Sequence, residues 1–407
     1  MPIERFAARY VANAAAQHGP YDPALRPLLS RAAFETARAE ISTWTGYAPT
    51  PLVALPGLAK ALGIASLDAK DEGHRFGLKS FKALGGAYAV LRALQAHVEA
   101  AHLPRPSAAE LIKGAHRDRL QKVTVAAATD GNHGRSVAWG AEMFGCRSKI
   151  YLHSHVSQDR EAAIARYGAE IVRVPGSYDD SVRQCAVDCE TNGWVLVADT
   201  NSGGGRTEIP TLVVQGYTVM VEEMIGQLRG RVPTHVFVQG GVGGLAAAVA
   251  GHLWETFGAK RPRVIAVEPD RADCIFRSIA AGKPTPVPGD VDTFMACLAA
   301  GEVSPLAWPI MHAAVDDVVT LPDDAAPAAM RLLADGTGGD QPIVAGESGC
   351  AAIAGLVAVA LDPNLRRTIG LDQTSRVAAI VSEGATDPAT YTRVVGRSAE
   401  DVAAAKR

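Results

Sequence analysis

Cysteine is scarce in this chain of 407 residues: there are six, and only Cys185 and Cys189 stand close together, at helical spacing in a polar segment. That excludes a disulfide-stapled framework and offers no ligand spacing for zinc, so reduced, mostly buried thiols and no metal are expected. Charge of one sign is lacking too: 40 Lys and Arg stand against 43 Asp and Glu, a formal net charge of −3 without long blocks of either sign. A nucleic-acid partner is therefore not expected. No apolar run approaches the roughly 20 residues that span a bilayer, and Met1 to Tyr10 mixes Glu4 and Arg5 with apolar residues instead of forming a signal core. The reading is a soluble cytoplasmic protein without a membrane partner. Internal repeats and low-complexity tracts are missing as well. What is present is 48% hydrophobic content, enough for a substantial core in one large or two medium domains.

Apolar β-rich runs alternate with alanine-rich stretches of helical period, the pattern of a parallel sheet covered by helices. Val123 to Ala128 reads as a strand, Asn132 to Phe144 as a helix and Lys149 to Leu152 as the next strand. Further strands are expected at Ile171 to Val174, Trp194 to Ala198, Val236 to Gln239, Val264 to Glu268 and Val377 to Val381. Helices are expected at Gln158 to Tyr167, Asp179 to Thr191, Thr211 to Leu228, Gly244 to Thr256 and Ala272 to Ala281. Two stretches break the rhythm. Residues His97 to Arg119, with Pro104 and Pro106, read as an insertion, and the proline-rich stretch Gly282 to Trp308 reads as a long loop able to cover a site.

Four clusters carry residues suited to chemistry. Lys82 opens an alanine-rich, otherwise apolar helix, where the helix dipole and partial desolvation both disfavour an ammonium and suit Schiff-base chemistry. A solvated first-turn lysine fits the same sequence, and Lys79, three positions earlier among less apolar neighbours, is the internal control. Thr129-Asp130-Gly131-Asn132-His133-Gly134 follows a strand and precedes a helix, where open α/β sheets place ligands. Asp130 as a helix N-cap, with His133 structural, is the competing reading. Gly240, Gly241, Val242, Gly243 and Gly244 follow the Val236 strand and lead into a helix, so bare backbone amides there suit an anion such as a phosphate. The loop lacks the Lys-Ser/Thr ending of a nucleoside-triphosphate site. Glu268 stands at a distance only loosely compatible with a nicotinamide fold. The last group, Asp199-Thr200, Glu347-Ser348-Gly349 and Ser382-Glu383-Gly384, adjoins strand ends or a helix start and could line one cleft, although each taken alone reads first as a cap or turn.

Taken in order, these segments resemble the pyridoxal phosphate enzymes of the tryptophan synthase β-subunit type, fold type II, and among them the diaminopropionate ammonia-lyases. The resemblance covers most of the chain. It runs through Tyr47 to Leu52, Arg75 to Leu78, Phe81 to Gly85, Thr129 to Gly134, Tyr178 to Asp180, Asp199-Thr200, Ile209-Pro210 and Gln215-Gly216-Tyr217. The glycine loop, Ala345 to Gly349 and Ser382-Glu383-Gly384 complete it. It implies an α/β fold of two lobes, with open parallel sheets covered by helices and a cofactor cleft between the lobes. Residues 1–80 and 200–407 would form the large lobe and 81–199 the small one. It also implies pyridoxal 5'-phosphate on Lys82 as an internal aldimine, with Asn132 at the ring 3-hydroxyl, the amides of Gly240 to Gly244 at the phosphate and Ser382 at the pyridine nitrogen. Asp130 and Asp199 fall where the ammonia-lyases place acidic residues near the substrate, and a carboxylate there pairs with a second ammonium or acts as a base.

The chain departs from the family at several points. Asn201-Ser202-Gly203-Gly204-Gly205 replaces an aromatic-rich stretch, Lys79 stands where asparagine is more common, Met295-Ala296-Cys297-Leu298 replaces Met-Ala-Gly-Leu, and Ala300 replaces a cysteine that could bridge to Cys274. The expected reaction is α,β-elimination of a 2,3-diamino acid, 2,3-diaminopropionate giving pyruvate and ammonia, in a homodimer. A serine or threonine dehydratase, a nicotinamide-dependent oxidoreductase and a non-catalytic binder of amino acids or pyridoxal phosphate are the alternatives.

Overall fold

A computed structural model of the chain describes residues 3–129, 131–154, 156–200 and 207–405. Asp130 and the stretch from Asn201 to Gly205, both singled out above, lie outside the described residues. The strands, in chain order, are β1 (Arg9–Ala12), β2 (Leu52–Ala54), β3 (Ser66–Asp71), β4 (Thr124–Ala128), β5 (Arg147–His153), β6 (Glu170–Val174), β7 (Val195–Leu196), β8 (His235–Gln239), β9 (Arg263–Pro269), β10 (Asp317–Leu321) and β11 (Arg376–Val381). The chain divides into two compact units. The first takes Met1–Pro27, Pro49–Ser80 and Met220–Arg407, the second Leu28–Ala48 and Phe81–Val219. Of the described residues, 28–48, 200 and 207–219 thus group with the second unit, whereas the family resemblance assigns them to the large lobe.

In the first unit seven strands form one sheet in the order β1-β10-β9-β8-β11-β3-β2. The five inner strands run parallel and only the edges, β1 and β2, run antiparallel. The inner strands are near-continuous apolar runs because both faces are covered. β8, His-Val-Phe-Val-Gln, is buried at every position. The helix Ala351–Leu361 is apolar on all sides and buried through Ala360, as a helix laid against a sheet within a core must be. In the second unit four parallel strands form a sheet in the order β6-β5-β4-β7. The helix Lys82–Glu99 is buried from Ala83 to Leu91, and it lies close to the helix Asn132–Phe144, whose Ser136 Oγ accepts the Ala87 N–H at 3.0 Å. Surface helices start conventionally: Ser157 and Ser177 cap Gln158–Ala165 and Tyr178–Asn192, the latter with a reciprocal bond from Asp180.

Each sheet has a place where the chain departs to opposite sides, and open α/β sheets bind ligands outside the carboxyl ends of the strands there. In the first unit it lies between β8 and β11, since β9 and β10 continue on one side and β3 lies on the other. In the second it lies between β4 and β7, since the chain runs from β4 out to β5 and β6 and returns to β7. The glycine loop, Ser382, the Thr129 turn and Asp199 all follow these four strands.

Candidate active site

In the second unit Lys82 begins its helix with no side-chain cap ahead of it. Its ammonium forms an ion pair with Asp199 Oδ2, just past β7, and lies 5.5 Å from the centre of the Phe81 ring. Burial pushes the Asp199 carboxyl up, but the Lys82 ammonium and His133 outweigh it and hold Asp199 well below the usual carboxylate range. In return the carboxylate favours a charged Lys82, opposing the helix N-terminus on which the sequence argument relied. His133 bridges the two strand ends. Its Nε2 is 2.8 Å from the carbonyl of Val197, which requires Nε2–H and leaves Nδ1 facing Asp199 at 3.9 Å.

Thr129 organises the turn that carries Asn132. Its Oγ1 accepts the N–H groups of Gly131 at 3.0 Å and Gly134 at 3.2 Å, doing the work of an N-cap from outside the helix. Asn132 is buried, and its Oδ1 accepts from Arg135 Nη2 at 3.1 Å, which fixes the orientation of the amide. Sequence reading passed over Arg135. Its position three residues after Asn132, on the same helical face, was the available signal.

In the first unit the glycine loop leaves β8 with Gly240 N–H still bonded to Val267 O at 2.8 Å. Gly241 and Gly243 then turn with φ of 62° and 98°, which a residue with a Cβ rarely adopts. At Gly243 a Cβ would also collide with Met311 Sδ. The helix Gly244–Phe257 follows with no side-chain cap, so its first-turn N–H groups, which have no intrahelical acceptor, stay open to an anion. Gln239 Nε2 donates to Gly349 O and Ile380 O, both at 2.9 Å, and ties the end of β8 to β11. Ser382, buried, follows β11, and Glu383 beside it accepts the Ser348 N–H at 3.2 Å. All six cysteines are free thiols. Lys79 makes no ion pair among the described residues and adopts φ of 58°.

Residues 43–383 match the family described as pyridoxal-phosphate dependent enzymes. The diaminopropionate ammonia-lyase of Escherichia coli (strain K12) is 39% identical over 383 residues, 93% of this chain and 94% of that enzyme. This chain belongs to the pyridoxal-phosphate dependent enzymes, among the diaminopropionate ammonia-lyases. It is a pyridoxal phosphate-dependent lyase of fold type II. The crystal structure of the selenomethionine-containing holo enzyme from Escherichia coli matches it with a TM-score of 0.88 at 36% identity, covering 97% of each chain. The same enzyme in complex with D-serine matches with a TM-score of 0.87, covering 97% of this chain and 98% of that one.

The residues present fit the cofactor of that family. The second unit offers a primary amine at an apolar helix start and a buried carboxamide at the start of the next helix. The first supplies an uncapped helix behind a glycine turn, which leaves room and donors for a phosphate, and a buried hydroxyl after β11.

Proposed function

We propose that the chain releases ammonia from a 2,3-diamino acid, 2,3-diaminopropionate above all, by α,β-elimination to pyruvate, with Lys82 as both the cofactor-bearing residue and a base. Lys82 would hold the cofactor carbon, Asn132 the ring oxygen, the amides of Gly240 to Gly244 the phosphate and Ser382 the pyridine nitrogen. When bound, pyridoxal phosphate supplies a carbonyl carbon for amine exchange and an electron sink for the Cα carbanion. The chain's own part is alignment and proton transfer. Lys82, once exchanged for the substrate amine, takes the proton from Cα on its side, and Asp130 serves as a second base or as a partner for the β-ammonium. Ser382 is a neutral hydroxyl, so it cannot hold a charge on the ring nitrogen as a carboxylate would, and this favours elimination over transamination.

The observation that carries the substrate choice is the pairing of Lys82 with Asp199. Whenever Lys82 is neutral, Asp199 is a largely buried carboxylate that has lost its nearest cation, and an uncompensated buried charge is costly. The β-ammonium of a diamino acid replaces that cation, whereas the β-hydroxyl of serine or threonine does not. The relative crystallised with D-serine accepts an amino acid of D configuration, which supports testing both hands. A cytoplasmic homodimer is the setting we propose.

The test is ammonia and pyruvate release from both enantiomers of 2,3-diaminopropionate alongside L-serine and L-threonine. The diamino acids should exceed the hydroxy acids by about 100-fold or more in kcat/KM. The reverse order makes the chain a dehydratase, and cofactor binding without turnover of any of the four makes it a binding protein.

A further inference from the structure

Of the motifs that carry the family resemblance, Gln215-Gly216-Tyr217 has no role once the cofactor contacts are assigned, and in Phe81-Lys82-Ala83-Leu84-Gly85 only Lys82 has one. In the second unit they are halves of one contact. The helix Glu208–Gln227 crosses the helix Lys82–Glu99 so closely that a Cβ on Gly216 would stand 2.8 Å from Leu84 O and 3.0 Å from Gly85 Cα. A Cβ on Gly85 would stand 2.5 Å from Tyr217 Cε1. Glycine at both positions is what lets the Tyr217 ring lie against the first turn of the Lys82 helix. Phe81 holds the ring from the other side, edge-on, with ring centres 4.7 Å apart.

The hydroxyl at the end of that ring is buried and makes no well-formed hydrogen bond among the described residues. Such a group costs stability, and its persistence calls for a role. The charges that act on it are the Lys82 ammonium and the Asp199 carboxylate, and burial pushes the phenol far above its ordinary range, so it stays a neutral hydroxyl.

We propose that Tyr217 is a positioning residue for Lys82. A neutral primary amine has two N–H bonds and one lone pair; Asp199 takes one N–H and the Tyr217 oxygen the other, and the lone pair is left pointing in the third direction, toward the substrate Cα. Tyr217 does not itself exchange a proton with the substrate. It narrows the orientations of the base, where a displacement of about 1 Å costs on the order of 100-fold in rate. The inference rests on the reading of Lys82 as the cofactor-bearing base.

The test is Tyr217→Phe, which keeps the ring against Gly85 and Phe81 and deletes only the oxygen. Because that oxygen lacks a well-formed bond, the melting temperature should hold or rise. In the cofactor-free protein, reductive methylation of Lys82 followed across pH by peptide mass spectrometry should show a midpoint about one pH unit lower in the variant, since the ammonium loses the nearby phenol dipole. In the loaded enzyme, kcat should fall about 10- to 100-fold with KM little changed, and the isotope effect from deuterium at Cα should grow as proton removal becomes limiting. A fall in melting temperature with unchanged methylation and unchanged isotope effect would make the hydroxyl structural and overturn the proposal. Borohydride reduction of the loaded wild-type enzyme separates the two readings. If the cofactor is not fixed at Lys82, the functional reading fails. If it is fixed there but Tyr217→Phe leaves the methylation midpoint in place, only the positioning role fails.

Discussion

Two lysines a dozen positions apart are both held against carboxylates, and only one of them is proposed to carry the cofactor. Lys70, in β3 of the first unit, is 0% exposed and donates to Thr50 O at 2.8 Å, Glu223 Oε2 at 2.8 Å and Gln227 Oε1 at 3.0 Å. All three ammonium hydrogens are taken. Burial lowers its pKa against the opposing pull of Glu72 and Glu223, while Arg75 spans the same two carboxylates at 2.7 to 2.9 Å. Lys82, in the second unit, pairs with the Asp199 carboxylate beside a phenol and an aromatic face, and its side chain keeps 19% of its surface open. Exposure separates a lysine that fastens strands from one that a ligand can reach. Charge pairing alone does not mark an active-site lysine.

Substitutions that strike one lysine and spare the other break this comparison most sharply. Lys82→Ala should lower ammonia release by at least about 10,000-fold and should destabilise the cofactor-free protein less than Lys70→Met does, because Asp199 keeps 17% of its side-chain surface exposed. Asp130→Asn should keep the cofactor absorbance band yet lose about 100- to 10,000-fold in turnover, with the loss differing between D- and L-2,3-diaminopropionate. If Asp130 only caps a helix, asparagine serves equally well and both rates stay near those of the wild type. Lys70→Met should leave the cofactor attached to Lys82 but cost about 3–5 kcal/mol in denaturant titrations, because Glu223 and Glu72 keep their buried charge with one cation fewer. The smallest effect belongs to Lys79→Asn. Lys79 sits at φ 58°, a left-handed conformation that asparagine adopts more readily, so the variant should retain activity and gain up to about 1 kcal/mol.

That last position also shows how far the sequence could be read. Lys79 is a departure from a family asparagine, and only the backbone angle explains why asparagine suits the site. Strand–helix alternation was legible from Val123 onward because β4, β8, β9 and β11 are apolar runs and the intervening helices keep a helical period. The Trp194-to-Ala198 strand shrank to Val195–Leu196, pairing with β4 alone. β3 was illegible: Ser-Leu-Asp-Ala-Lys-Asp has the composition of a solvated turn, yet the five residues from Leu67 to Asp71 are buried. The charge that makes Lys70 tolerable there comes from Glu223, which local pattern cannot bring near. β10 hides in the same way, with Asp317 buried against Arg263. At the candidate site, the local settings of Lys82, Asn132 and the glycine loop, helix starts and strand ends, were legible. Tyr217 and the Lys82–Asp199 pairing depend on contacts between elements, and no single stretch of sequence contains them, whereas Arg135 stands within reach of Asn132 on its own helix.

The most direct measurement is borohydride reduction of the cofactor-loaded enzyme followed by peptide mapping of the fixed cofactor. The account predicts one adduct, on Lys82, prevented by prior incubation with 2,3-diaminopropionate. An adduct on Lys70 or Lys79, or a loaded protein that yields none, would contradict it.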